Sequence, residues 1–286
     1  MLVKNLLIHS RSDFSTSIQI RQHLGVGFFC LILFISLHAC TLKSELMDAQ
    51  AGKLGLSKDI IPGKGFDHVI YFQQGVSKPS TLHVYLDGDG EPWIHNRLVA
   101  KDPTPKNPLL LKLMSMDRTS SLYLGRPCYH GFSTTSPCDS SLWTSARYSM
   151  TVVVSMEKAL RNFIGHSEYQ EIVLIGYSGG ATLAMLLAPR IESITKVVTI
   201  AGNLDSDAWT SYHNYSPLKE SINPAHHQAL AGIQQFHLIG KADKNIPYSL
   251  VEPFLKTQPD AQVLIWDNFD HSCCWHEIWP DFLHQL

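Results

Sequence analysis

The stretch EIVLIGYSGGATLAMLLAPRI, residues 171–191, decides how this chain is read. Residues 171–176 form an almost wholly apolar run, the pattern of a strand buried on both faces of a parallel sheet. From Gly180 to Arg190 an apolar helix follows. Between them stands Gly176-Tyr177-Ser178-Gly179-Gly180. Glycine weakens strands and helices alike, so this much glycine around one serine marks a turn that has to be tight. In a strand–turn–helix elbow, side chains two residues to either side of the serine would crowd it, and Gly176 and Gly180 relieve that crowding. The turn lifts the Ser178 oxygen above the sheet edge, and the helix N-terminus behind it favours developing negative charge. A phosphate-binding loop would need G-x-x-x-x-G-K-[ST], and no lysine stands here.

The rest of the chain fits around this unit. Strands are expected at 68–75, 81–90, 119–127, 196–202, 234–240 and 261–267. Helices are expected at 109–117, 146–165, 248–258 and 275–286, the last interrupted by Pro280. Val152, Met156, Ala159, Leu160 and Phe163 fall on one stripe at helical spacing. Strands alternating with helices build an α/β domain whose parallel sheet is covered on both faces. Ligands then sit outside the carboxyl ends of the strands, so site residues should follow strands directly.

A serine is a weak nucleophile unless a base takes its proton and a third group holds the base. GKADKNIP follows the strand ending at Gly240 and offers Asp243. DNFDHSCCW follows the last strand and offers His271. Asp205 and Asp207, after the strand ending at Gly202, are the alternative acids. His213, His226 and His227 lie in an irregular segment over residues 203–233 and read as surface or substrate-loop residues. Asp270 is a sequence neighbour of His271 on an extended segment, so the two point apart, and Asp270 reads as a turn former.

The order Ser178, Asp243, His271, together with GYSGG, G-x-x-D-x-x-I-P and the late Asp-His, resembles the α/β-hydrolase fold over residues 66–286. The resemblance implies a mostly parallel central sheet with helices on both faces and a small insert after the sixth core strand. It implies a carboxylesterase-like serine hydrolase acting on a small-molecule acyl substrate through an acyl-enzyme. Ser178, Asp243 and His271 would be its catalytic residues, with no cofactor. One oxyanion-hole donor is expected at the Gly179 N–H, after the nucleophile. By resemblance to His-Gly type loops the other is the Asp89 N–H in LDGDGEPW, with Gly88 or Gly90 as alternatives. Asp87 stands where many lipases carry His, and an acidic pair there is expected to disfavour anionic substrates. An acyltransferase would use the same triad, and a non-catalytic envelope binding protein could keep the same scaffold.

No metal is expected. HEIWP has Pro280 where H-E-x-x-H needs its second histidine, and there is no C-x-x-C pair. The charge balance, 23 Lys and Arg against 25 Asp and Glu, has no basic run and speaks against nucleic acid as a partner.

The N-terminus reads as an export signal. Lys4, Arg11 and Arg21 precede an apolar run over residues 24–39. LHAC resembles a bacterial lipobox, in which Cys40 becomes lipidated, although His38 departs from the small or aliphatic residue usual there. An ordinary signal peptide and a retained anchor are the alternatives. The apolar run is shorter than the roughly 20 residues a spanning helix needs. The expected organisation is a signal over 1–39, a polar tether over 40–65 and the hydrolase domain over 66–286. The expected location is the cell envelope, on the outer membrane or facing the periplasm, with the membrane as partner through the lipid anchor.

Cys128, Cys138, Cys273 and Cys274 then face an oxidising compartment, where four cysteines allow three pairings. Cys128–Cys138 closes a short loop and is the first choice. A bond between the neighbours Cys273 and Cys274 is expected to be strained, which leaves pairing across to the other two open. The loop RPCYHGF…SPCDSSLWTSARYS, residues 126–149, reads equally as a substrate-shaping loop held by a disulfide and as a structural staple.

Overall fold

A computed structural model of the chain describes residues 42–165, 169–259 and 261–286. The expected signal over 1–39 and Cys40 lie outside the described residues. In chain order the elements are α1 (Lys43–Lys53), β1 (Ser57–Pro62), β2 (Asp67–Gln73), β3 (Ser77–Leu86), the short strands β4 (Trp93–Ile94) and β5 (Leu98–Val99), α2 (Leu109–Met114), β6 (Thr119–Leu124), α3 (Met150–Ile164) and β7 (Glu171–Tyr177). They continue with α4 (Gly179–Leu187), β8 (Ile194–Ile200), α5 (Ser206–Tyr212), β9 (Gln234–Gly240), α6 (Tyr248–Leu255), β10 (Ala261–Trp266) and α7 (Trp275–Leu283).

Eight strands form the main sheet in the order β1-β2-β6-β3-β7-β8-β9-β10. β1 and β2, and β2 and β6, pair antiparallel. From β6 to β10 every pair is parallel. The chain leaves β3 toward β6 on one side and returns to β7 on the other. The order therefore reverses at β3 and β7, and a crevice opens beyond their carboxyl ends.

Alternation along the strands feeds a core on each face. Leu82, Val84 and Leu86 of β3 pack with α3 and α4 through Val152, Met156, Leu160 and Leu183. Tyr85 of β3 and Val173 and Ile175 of β7 pack on the other face with Leu110 of α2 and Trp275 and Trp279 of α7. The stripe predicted for α3 is buried as expected, with Phe163 partly buried against the same core.

Three expectations change. Residues 43–62 are not a tether: α1 buries Met47 and Ala51 against the sheet, and β1 pairs with β2. The signal was weak because β1 is an edge strand exposed along nearly its whole length. β3 ends at Leu86 rather than at 90, which frees Asp87 to Gly90 as a loop at the crevice. α7 runs through Pro280 without a break, because Trp275, Trp279 and Phe282 on one face are buried.

Cys128 and Cys138 form the expected disulfide, with Cα atoms 5.5 Å apart. Cys273 and Cys274 pair with each other and not with the first two. Cys274 adopts φ 76° as it turns the chain into α7. No helix among the described residues is long and apolar enough to cross a membrane.

Candidate active site

Ser178 sits between β7 and α4 with φ 53° and ψ −120°. A non-glycine residue in such a region costs on the order of 1–3 kcal/mol and persists only where its surroundings enforce it. Here the Ser178 N–H donates to the Ile200 carbonyl at 3.0 Å, and its own carbonyl accepts from Asn203 N–H at 3.0 Å. The glycines make room as the elbow requires. A β-carbon on Gly176 would lie 2.5 Å from the Gly180 carbonyl oxygen. One on Gly180 would run into the Leu86 carbonyl oxygen, and one on Gly179 into the Asp89 carboxylate and the Tyr148 hydroxyl.

The structure brings the three predicted side chains together. His271 Nε2 is 3.0 Å from Ser178 Oγ, so the hydroxyl can donate to the ring. His271 Nδ1 is 2.8 Å from Asp243 Oδ2 and donates to it in that tautomer. The other Asp243 oxygen accepts the N–H groups of Asn245 at 2.8 Å and Ile246 at 2.9 Å. Asp243 is buried, whereas His271 opens onto the cleft. Trp275 Nε1 donates to the His271 carbonyl at 3.1 Å, and the Tyr177 ring lies 5.2 Å from the imidazole.

The alternatives go elsewhere. Asp205 caps α5 by accepting from Asp207 and Ala208 N–H. Asp207 faces His226 at the surface, 3.4 Å away, and His227 is exposed. Asp270 accepts from Ser272 and Cys273 N–H, the turn-forming role read from the sequence.

The N–H groups read from the sequence as candidate oxyanion donors differ in what they are bonded to. Gly88 N–H is occupied by Asp87 Oδ1 at 2.8 Å. Among the described residues, the N–H groups of Gly179, Asp89 and Gly90 have no protein acceptor, so Gly90 stays open as the alternative to Asp89. The loop that presents Asp89 is gripped through its carboxylate. Arg126 Nη2 lies 2.9 Å from Oδ1, Arg147 Nη1 2.8 Å from Oδ2, and the Tyr148 hydroxyl 2.8 Å from both oxygens. Tyr129 donates to the Asp89 carbonyl at 3.0 Å. Burial alone would push the Asp89 carboxyl up, but Arg147 and Arg126 overcome it and hold it below the usual range. Burial pushes Asp87 up to about 6, against hydrogen bonds from Gly88 and Tyr123. The Asp89 charge is therefore balanced within its own cluster. Two arginines, Arg126 and Arg147, pair with Asp89, and Arg147 itself lines the cleft.

In the disulfide loop, Arg126 and Tyr129 stand beside Cys128, and no residue from 126 to 138 lines the cleft. Arg126 and Tyr129 support the Asp89 turn from behind, while Thr144, Ser145 and Arg147, later in the same loop, line the cleft, so the loop holds both positions. The cleft has a volume of about 1030 Å³ and holds Ser178 and His271, walled by Trp93, Arg147, Trp209 and Tyr215. No group of three or more His, Cys, Asp or Glu among the described residues could hold a metal ion.

No family model matches the chain, and no curated protein matches it. Solved structures do. A Pyrococcus furiosus esterase is 13% identical with a TM-score of 0.59, over 82% of this chain and 91% of that one. A bacterial membrane phospholipase A, described as a virulence factor, is 14% identical with a TM-score of 0.59, over 93% and 99% of the two chains. Proline iminopeptidase of Mycobacterium smegmatis is 9% identical with a TM-score of 0.61, over 80% and 98%. The fold is that of the α/β-hydrolases.

Within this fold the insert follows the sixth strand of the main sheet, β8, as expected. It carries α5 and reaches the site through a residue the sequence did not reveal. Trp209 Nε1 donates to Asn245 Oδ1 at 3.3 Å, and His213 Nε2 donates to the Asn245 carbonyl at 2.7 Å. Asn245 Nδ2 in turn lies 3.1 Å from His271 Nε2, beside the Ser178 hydroxyl. His213 thus positions the Asp243 loop. Arg126, Arg147 and Tyr148 were missed as well. Their partners lie far along the chain, and no local motif marks them.

Proposed function

We propose that the chain is an exported serine hydrolase that cleaves a carboxylic ester or a related acyl bond. The observation that carries this reading is the unbroken line from Asp243 through His271 to Ser178, which opens onto a cleft. Esterase, phospholipase and peptidase neighbours support hydrolysis in general terms.

Ser178 Oγ attacks the carbonyl carbon as His271 Nε2 takes its proton. Asp243 accepts from Nδ1–H throughout, which fixes the tautomer and supports the imidazolium charge. The carbonyl oxygen becomes an anion within reach of Gly179 and Asp89 N–H, and such donors stabilise it by a few kcal/mol. His271 returns the proton to the departing oxygen as the C–O bond breaks, leaving acyl-Ser178. Water, deprotonated by His271, attacks that ester, and the proton returns to Ser178 as the acid leaves.

The basic N-terminal segment, the apolar run and Cys40 support export with lipid attachment. Turnover of 4-nitrophenyl esters by the full chain, compared with Ser178→Ala, tests the chemistry. A loss of roughly 10⁴-fold or more is expected; retained turnover in Ser178→Ala would overturn the reading. After a high-salt, alkaline wash that strips surface-bound protein, Cys40→Ala should leave the membrane fraction while the parent stays, and continued association would favour an uncleaved anchor.

A further inference from the structure

Residues 91–101 read EPWIHNRLVAK and follow directly on the Asp87–Gly90 loop. Within them β4 and β5 pair antiparallel, Trp93 opposite Val99 and Ile94 opposite Leu98. Side chains alternate across a strand, so Trp93 and Val99 share one face of this hairpin and Ile94 and Leu98 the other. Both faces are open, with relative exposures of 41% for Trp93, 46% for Ile94, 66% for Leu98 and 40% for Val99. A lone two-stranded ribbon is marginal in water. This one is fastened at its root: Ala100 N–H donates to the Pro92 carbonyl at 2.9 Å and Glu91 N–H to the Pro103 carbonyl at 2.8 Å. Buried Trp143 donates to the Ala100 carbonyl at 3.1 Å. The fold therefore holds four large apolar side chains out in solvent, on both sides of a fixed root.

The hairpin stands at the cleft, since Trp93 and Asn96 line the cavity that holds Ser178. From Trp93 to Lys101 the only full charges are Arg97 and Lys101, both positive, and neither is in an ion pair among the described residues. The chain also enters the domain at this corner. Lys43 lies 3.0 Å from Glu91 and donates to the Asp102 carbonyl at 3.0 Å, at the two roots of the hairpin. Leu42 and Leu46 beside it are exposed, and Cys40 stands two positions earlier in the sequence.

We propose that this hairpin is a docking element that seats the mouth of the cleft on a phospholipid bilayer. Four side chains fall far short of the roughly 20–30 residues a side that a stable protein interface needs. They are enough to enter the boundary between headgroups and acyl chains, where Trp is favoured and cations meet anionic headgroups. Exposed apolar groups beside a functional cleft mark a surface of this kind. The consequence for substrate rests on the hydrolase reading above: esters borne by the bilayer would reach Ser178 without crossing water.

The test uses the intrinsic fluorescence of the full chain with vesicles of phosphatidylglycerol and dibrominated phosphatidylcholine. No Trp precedes Trp93, so an N-terminal tether contributes no signal of its own. Bromine on the acyl chains is expected to quench emission in the parent, and the quenching should be lost in Trp93→Phe, which keeps an apolar ring at the same place. Absent quenching, or equal quenching in Trp93→Phe, would overturn the proposal and point to a protein partner or none. Quenching decides the docking whether or not the vesicles are hydrolysed. Ile94→Ser with Leu98→Ser, on the face away from the Trp93 side, should lower hydrolysis of a vesicle-borne ester roughly tenfold while sparing a soluble short-chain ester. Equal loss on both substrates would count against docking.

Discussion

Asp89 offers its backbone N–H to the cleft, while its carboxylate is closed on by Arg126, Arg147 and Tyr148. Removing one partner of a buried ion pair leaves the others charged and unpaired, at a cost of about 3–5 kcal/mol. Asp89→Ala should lower the melting temperature by roughly 10 °C for a domain of this size. Thermal unfolding followed by circular dichroism checks this; a midpoint matching the parent would mean the cluster is not holding the loop. Ser178, Asp243 and His271 were legible in the sequence because each follows a strand and carries its own local motif. The arginines and Asn245 were not. Arg147 and Asp89 are 58 positions apart, and nothing local marks a residue whose partner is that distant. The charges that balance Asp89 were hidden for the same reason, since they come from another segment.

At the level of elements, the elbow depends on backbone contact between α4 and β3. A β-carbon on Gly180 would strike the Leu86 carbonyl, a backbone atom that cannot swing aside. Gly180→Ala should therefore destabilise the protein by several kcal/mol. Gly52 in α1 has nothing within 4 Å of the added carbon. Gly52→Ala should stabilise by about 0.5–1 kcal/mol, the usual difference between the two residues in a helix. Denaturant unfolding of both variants should give opposite signs, and a matching sign would refute the packing described for one of them. Buried strands such as β7 and β8 were readable because burial on both faces demands a continuous apolar run. α1 and β1 were not, since β1 exposes nearly every residue and α1 buries only Ser44, Met47 and Ala51. The course of α7 through Pro280 was hidden because burial of two tryptophans outweighs a lost helical hydrogen bond, a balance that local propensity does not contain.

Across the whole molecule, three buried histidines set the response to acid. Burial pulls His68, His130 and His237 each down from 6.5 to about 4. Between those values the unfolded chain takes up protons that the native one refuses, so stability falls as pH drops from about 6.5 to about 4. Asp87 works the other way. Burial pushes it up to about 6, so below that value the native state keeps a proton that the unfolded chain has released. Three groups against one leave a net loss on acidification. Melting temperatures between pH 7.5 and 4.5 should fall steadily, and a flat or rising series would contradict these burials. The central claim, that the fold assembles an activated nucleophile at Ser178, is tested most directly by covalent labelling. The full chain would be treated with a fluorophosphonate, native and heat-unfolded, and the modified residue mapped by mass spectrometry. Modification of Ser178 in the native protein alone is expected; no labelling, or labelling that survives unfolding, would contradict it.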